Sequence, residues 1–385
     1  MSSVEEVIPI AKKILNNHYL CDTCLGRLFS KNLKLSSNRR LGKRLKKNIS
    51  KLNTCYICRN LFEDLSPYLK IMFDSSEKFE FSSFLVGAKI KPSIIDRDDY
   101  IRSKYRLQGI DSIKTSLTHE LAKIFSRKTK KIFDHLNPDI TMTLNIKDHT
   151  CQLRSKQIYL QGRYKKTSRG LSQKQKPCTN CSGKGCRICQ MHGITNYDSV
   201  EGKISKILFQ KFGGTVTKFN WIGGEDKSSL VLGTGRPFFV RIQNPLKRKI
   251  RFPKILKVNS LQILDLKIIP DLPKKPIRFT SKIKIKISTK NSVDSKNLKK
   301  LKKSLDLPIV IYEQSGKRSE KKVFDIKYIK NSTKKFTLTI DAEGGFPVKR
   351  FVSGDNVSPG VGQIIDNSCN CEVFDFLQIR TITNN

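Results

Sequence analysis

The sequence predicts an α+β protein. Helical periodicity dominates the N-terminal part, alternating strands dominate the C-terminal half, and two separate cysteine quartets punctuate the chain. At 385 residues it is too long for one ordinary domain. A hydrophobic fraction of 37% is enough to bury real cores. The charge balance, 75 Lys+Arg against 33 Asp+Glu for a formal net charge of +42, favours a polyanionic partner over generic metabolism.

The elements follow in order. Val4, Val7, Ile8, Ala11 and Ile14 share one face of an N-terminal amphipathic helix. Glu5 and Glu6 stand where a signal peptide carries cations, and no stretch reaches the roughly 20 apolar residues that span a bilayer. A cytoplasmic protein without membrane association is therefore expected. Cys21-x2-Cys24 and Cys55-x2-Cys58 form one quartet, and Cys178-x2-Cys181 and Cys186-x2-Cys189 the other. Two CxxC knuckles aim four thiolates at one tetrahedral ion, so each quartet predicts a zinc site. Four thiolates leave no open coordination position, which makes both ions structural. Cys151, Cys369 and Cys371 are left as packed thiols.

Residues 31–51 carry 9 basic and no acidic side chains and form a helical excursion hung on the first quartet. FSSFLVGAKI reads as a strand, SIKTSLTHELAKIFSRKTKKIF as a helix, and DITMTLNIKD and QIYLQGRY as strands. Residues 152–176 hold 8 basic and no acidic residues with Tyr159 and Tyr164 interleaved, a composition that suits RNA. Arg163, Tyr164, Lys165 and Lys166 here, with Arg236 further on, are the RNA-binding candidates. SVEGKISKILFQKFGG is a helix stopped by its Gly pair, and Lys282–Ile287 alternates as a half-buried strand. Residues 291–304 form a short basic helix or loop, and KKFTLTIDAEGGFPVKRFVSGD and CEVFDFLQI supply further strands.

Several chemistries are excluded. The chain has no Walker-type phosphate loop, no dinucleotide glycine fingerprint, and no HExxH or HxE among its 5 histidines. What remains is acidic: Glu225 and Asp226 follow Gly223-Gly224 and precede an apolar strand, on a turn within a cationic chain. A carboxylate kept ionised there suits a nucleophile or general base acting on RNA.

These stretches resemble the Pus-ten family of tRNA pseudouridine synthases in its archaeal form. The likeness rests on CDTCLGRLF with CYIC, NPDITMTLN followed by GRYKKTSRGLSQ, and the hairpin CTNCSGKGCRICQMHG. It continues through GGEDKSSLVLGTGRPFFVRIQNP and EGGFPVKRFVSGDNVSPGVGQII to EVFDFLQI. The resemblance implies a zinc module at 1–62 and a THUMP-like RNA-binding domain at 63–177. A second zinc hairpin at 178–198 and a pseudouridine synthase domain with a mixed, mainly antiparallel sheet at 199–385 complete it. It implies isomerisation of uridine to pseudouridine in the TΨC arm of tRNA, at positions 54 and 55, with no organic cofactor and no obligate protein partner. The family motif Gly-Arg-Glu-Asp-Val-Asp-Val-Arg falls on GGEDKSSL, placing the catalytic aspartate on Asp226, with Gly224 for the motif Arg and Ser228 for its second Asp. The family's active-site Tyr falls on Phe279 or Ser281, its basic residue on Lys349 beside Val348, and an apolar pocket wall on Leu377. The alternative is a decayed or different THUMP-type RNA-binding protein, for which Gly224 and the missing Tyr count.

Overall fold

The computed structural model describes residues 4–30, 33, 37–46, 54–108, 110–303, 308–313 and 315–382. Residues 31, 32, 34–36 and 47–51 of the basic run lie outside the described residues, as does residue 304. The chain divides into two compact units, Met1–Lys156 and Gln157–Asn385.

The first unit begins with three helices, α1 (Val4–Asn17), α2 (Asp22–Ser30) and α3 (Asn38–Leu45). Two glycines fix the packing of α2 on α3. A Cβ on Gly26 would lie 1.8 Å from the Asn38 carbonyl oxygen, and one on Gly42 1.8 Å from that of Asp22. Then come α4 (Ser66–Ser76), β1 (Ser83–Lys89), α5 (Pro92–Lys104), α6 (Ile113–Thr129), β2 (Ile132–Phe133), β3 (Ile140–Asn145) and β4 (Thr150–Ser155). Ser112 caps α6 by accepting from the Thr115 N–H at 3.1 Å. The strands form one sheet in the order β2-β1-β3-β4, parallel except for the β3–β4 hairpin. Phe84, Leu117, Leu121, Phe125, Ile140 and Met142 close its core, and the buried Arg27 pairs with the buried Asp98.

The second unit opens with β5 (Ile158–Lys166), followed by α7 (Val200–Phe212), β6 (Thr217–Trp221), β7 (Val231–Ile242), β8 (Ile255–Val258), β9 (Leu261–Ile269) and β10 (Arg278–Thr289). It continues with α8 (Ser295–Lys303), β11 (Ile309–Tyr312), β12 (Arg318–Lys321), β13 (Val323–Lys330), β14 (Lys335–Glu343), α9 (Val348–Ser353), β15 (Val357–Ser358), α10 (Val361–Ile365) and β16 (Cys369–Ile382). The main sheet runs β13-β14-β10-β16-β7-β5-β9-β8, with β6 also paired to β7. Only the β16–β7 contact is parallel among its described pairs, so the sheet is mixed and mainly antiparallel as expected. In β10 the alternation holds: Ile283, Ile285 and Ile287 are buried while Lys284 and Lys286 face out.

Two sequence expectations change. QIYLQGRY was placed in the domain ending at 177, yet β5 pairs on one side with β7 and on the other with β9. It is an interior strand of the second sheet, and residues 157–177 belong with the C-terminal unit. VKRFVS, expected as strand, is helical: Val348, Phe351 and Val352 bury one face, and Gly354 at φ 87° ends it.

Candidate active site and metal centres

Asp226 sits on the turn between β6 and β7. Its Oδ1 accepts from the Ser228 backbone N–H and hydroxyl, each at 3.0 Å, and its Oδ2 pairs with Lys349 in the first turn of α9. The side chain of Asp226 is 27% exposed and that of Lys349 59%, so this pair is reachable from solvent rather than buried. Lys349 chiefly, with the Ser228 donors, holds the Asp226 carboxyl at about 2, against a partial burial that acts the other way. The carboxylate opens into a cavity of about 330 Å³ lined by Gly224, Phe346, Pro347, Val348, Phe374 and Phe376, among others. The arrangement is a fixed anion above an apolar, aromatic floor.

Beneath the turn lies a buried charge cluster. The Glu225 side chain is 0% exposed, with Lys166 Nζ 3.2 Å from Oε1 and Arg236 Nε 3.3 Å from Oε2. The Tyr164 hydroxyl donates to Oε2 at 2.9 Å. Arg236 also donates to the Ile222 carbonyl at 2.9 Å and lies over the Phe376 ring. Lys166 donates to the carbonyls of Leu171 at 2.9 Å and of Asp226 itself at 3.0 Å. Arg169 holds the Ser228 carbonyl and forks onto Asp375 at 2.7 and 2.8 Å, while Asp375 accepts from the Leu230 N–H at 2.9 Å. The turn from 226 to 230 is thus clamped from β5, from the segment after it, and from β16.

This corrects the reading of the basic run. Tyr164, Lys166 and Arg236 are fully buried and face Glu225, so they brace the turn instead of meeting RNA. Burial lowers the Lys166 ammonium and raises the Tyr164 phenol well above its usual range. Arg163 is half-buried and donates to the carbonyls of Thr234, Gly235 and Ile379 at 2.6–2.8 Å. Lys165 is half-buried between them in sequence.

The pocket candidates divide. Val348 and Lys349 border the cavity, as does Asp226. Leu377 does not: it falls at the irregularity where β16 shifts register against β10, and Phe374 and Phe376 form the wall instead. Phe279 also lies outside the cavity lining. Its ring packs on the turn from below, where a Cβ on Gly223 (φ 76°) would come within 2.6 Å of it and within 2.7 Å of the Arg236 guanidinium. Ser281, the other candidate, is buried between Ala342 and Ile379 in the sheet. Sequence reasoning missed Ser228, Lys166, Arg169 and Asp375 as supports of the turn. Only the closeness of Ser228 to Asp226 was visible in the chain.

Both cysteine quartets converge. Within each, the four Sγ atoms lie within 4.8 Å of one another. Tetrahedral zinc at Zn–S distances of about 2.3 Å sets sulfurs about 3.8 Å apart. The spacing is 3.6 Å for Cys21–Cys58, and 4.0, 3.8 and 3.7 Å for Cys178–Cys186, Cys181–Cys189 and Cys186–Cys189. Backbone N–H groups of Gly185, Cys186 and Gly193 point at sulfurs at 3.2 Å, as thiolate ligands require. The residues fit a metal at both places. Cys21, Cys24, Cys55 and Cys58 are buried in the core of the first unit, whereas Cys181 and Cys186 of the hairpin are partly exposed. Cys369 is buried and Cys151 and Cys371 partly so.

A large mixed sheet bearing an ionised aspartate beside an aromatic-lined cavity, with a cysteine quartet that could hold a metal ion in each of the two units, fits a modular enzyme. Comparison with known proteins makes the class specific. The family profile described as "Pus10, C-terminal" matches residues 159–380, starting within β5, and "Pus10 THUMP domain, archaeal" matches residues 68–145. The chain is 58% identical over 380 residues to a protein of Nitrosopumilus maritimus named tRNA pseudouridine synthase Pus10, covering 99% of this chain and 100% of that one. Proteins of the same name from Cenarchaeum symbiosum and Methanosphaera stadtmanae are 32% and 30% identical, over 94% of this chain and 90% and 96% of theirs. The chain belongs to the Pus10 family. No helix among the described residues is long and apolar enough to cross a membrane.

Proposed function

We propose that the chain is a tRNA pseudouridine synthase that isomerises uridines 54 and 55 of the TΨC arm, with Asp226 as the essential catalytic group. The observation that carries this reading is the Asp226 carboxylate, held ionised by Lys349 and Ser228 over an apolar cavity. In the reaction the N1–C1′ bond breaks, the uracil turns, and a C5–C1′ bond forms. C5 loses a proton and N1 gains one, so the step balances without oxidant or organic cofactor. Held ionised by Lys349 and Ser228, the Asp226 carboxylate can serve as a nucleophile at C1′ or as a general base. The cavity accepts a uracil that has left its stack, an extrusion that costs a few kcal/mol.

Broad contact with tRNA phosphates offsets that cost. Exposed cations supply it, including Lys254, Lys267, Lys275 and Arg278 around a separate cavity of about 830 Å³. The two cysteine quartets hold structural zinc, and the protein works in the cytoplasm. The test is incubation with unmodified tRNA transcript, mapping pseudouridine by carbodiimide-dependent primer-extension stops. Product with the wild-type chain and none with Asp226→Asn is expected. Product surviving Asp226→Asn would overturn the catalytic assignment.

A further inference from the structure

A second cavity, of about 550 Å³, adjoins the catalytic turn on its other side. Gly224 borders both it and the Asp226 cavity. Its walls are Phe219 and Trp221 of β6, Glu201 at the start of α7, and Gln173, Lys174 and Gln175. The two aromatic rings stack at 4.8 Å and 11°, and Tyr164 meets the indole edge-on at 5.6 Å. Because Tyr164 also donates to Glu225, the indole is fixed relative to the residue next to Asp226. A cavity this size, walled by stacked aromatics and bordered by a few polar groups, is built for a planar heterocycle.

The polar groups choose among the heterocycles. Gln173 directs its amide nitrogen to the Tyr164 hydroxyl at 3.0 Å and to the Gly223 carbonyl at 3.2 Å. Its Oε1 is thereby turned toward Gly224, 3.9 Å from where a side chain there would begin. The Glu201 carboxylate accepts from the Gln175 N–H at 3.3 Å. Burial pushes its carboxyl above the usual range, while the Gln175 N–H, the Lys174 ammonium and the Trp221 indole favour its ionised form. Two acceptors and one cation, Lys174, therefore border the space. Guanine presents two neighbouring donors, N1–H and the N2 amino group, beside the O6 acceptor, whereas uracil, cytosine and adenine lack that paired donor edge.

We propose that this cavity is a second base pocket of the RNA substrate, holding an unpaired guanine against Phe219 and Trp221 while the target uridine occupies the Asp226 cavity. The proposal rests on the reading of the chain as an RNA-modifying enzyme. It makes the catalytic turn a divider between two extruded bases, with Gly224 leaving the passage between them open.

Trp221 is the single tryptophan of the chain, so its emission reports on the pocket directly. The zinc-loaded full chain is titrated with unmodified tRNA transcript, and then with transcripts in which each unpaired guanosine is replaced singly by inosine, which lacks the N2 amino group. Quenching of Trp221 by the parent transcript is expected. Replacement at one position should weaken binding about tenfold and reduce the quench, the loss of one hydrogen bond to a charged acceptor. Glu201→Gln should remove the discrimination between guanosine and inosine at that position. If no single replacement changes affinity or quench, or if Glu201→Gln discriminates as the wild type does, the pocket is not a guanine site. Pseudouridine is mapped in parallel on the same parent complex. Guanine-dependent quenching without product defeats the catalytic reading alone, and product with inosine-indifferent binding defeats the pocket alone.

Discussion

Glu225→Gln should destabilise the second unit more than Lys166→Met, although both remove one member of the same ion pair. The cluster holds two cations and one anion, Lys166, Arg236 and Glu225, with side chains 0%, 1% and 0% exposed. Replacing Glu225 leaves two cations buried against one another, and stripping one partner from a buried pair costs about 3–5 kcal/mol. Replacing Lys166 leaves Glu225 neutralised by Arg236, with the hydrogen bond from Tyr164 retained. Its cost is the lost donation to the Leu171 carbonyl, about 1–3 kcal/mol for a buried acceptor left unsatisfied, while the Asp226 carbonyl keeps the Ser229 N–H at 3.0 Å, and removal of a buried cation offsets part of it. Lys166→Met should therefore cost about 2 kcal/mol, clearly less than Glu225→Gln. Urea unfolding of the zinc-loaded chain at pH 7, followed by Trp221 emission, reads this unit selectively because Trp221 packs edge-on against Tyr164. A Glu225→Gln chain less than about 1 kcal/mol below wild type, or one more stable than Lys166→Met, would refute the electrostatic account of the cluster. Catalysis gives a second axis. Lys166→Met removes one of the two donors to the Asp226 carbonyl and loosens the turn, so kcat should fall while affinity for tRNA holds.

Three further outcomes follow from the same geometry. The Asp226 carboxyl lies at about 2, below the ordinary 3.8, so its ionised form is fully present above 3.8 and lost only as pH falls through about 2. The kcat/KM profile should therefore show no acid limb from this group between pH 5 and 8, and a limb near pH 6 abolished by Lys349→Met would contradict the assignment. Lys349→Met itself should lower kcat while costing no more than about 1 kcal/mol of stability, since the pair is solvent-reachable. Metal analysis should find two zinc per chain. Cys24→Ser, in the buried core of the first unit, should lose one ion and unfold that unit, whereas Cys181→Ser should lose one ion with a smaller effect on melting.

Periodicity made the elements legible wherever one face is buried and the other wet. The alternation of Lys and Ile in β10 and the spacing of Ile204, Leu208 and Phe212 in α7 survive intact in the structure. CxxC spacing located both cysteine quartets for a similar reason: each two-cysteine knuckle is local in sequence. What escaped was non-local. β5 carries a basic, aromatic surface signature, yet it pairs on both edges and buries every second residue from Ile158 to Lys166. A buried lysine or arginine is unexpected unless an anion meets it, and that anion, Glu225, lies about sixty residues downstream. For VKRFVS, six residues are too few to separate a one-turn helix from a strand by pattern. As a helix the segment buries Val348, Phe351 and Val352 on one face, with the Phe351 ring edge-on to Phe346.

The departures from the motif that the chain resembles gain a physical meaning from this geometry. With an aspartate at 228, a second carboxylate would stand two residues from Asp226, and like charges so close push one of the two toward protonation. Ser228 instead donates both its hydroxyl and its backbone N–H to the Asp226 Oδ1. The substitution therefore works with Lys349 to keep Asp226 ionised, not against it. Gly224 acts differently. It is exposed, and a Cβ there would meet nothing closer than the Gln173 Oε1 at 3.9 Å, so a side chain could begin there without backbone change. Its absence is not imposed by packing. What glycine leaves is an unobstructed edge between two cavities, one floored by Phe374 and Phe376 and the other walled by Phe219 and Trp221. Charge at this position would sit between the two cavities. The net charge of +42 thus says little about the Asp226 turn, because of the cations around it Lys349 pairs with the carboxylate itself, and Lys166 and Arg236 are turned inward onto Glu225 to hold the turn in place.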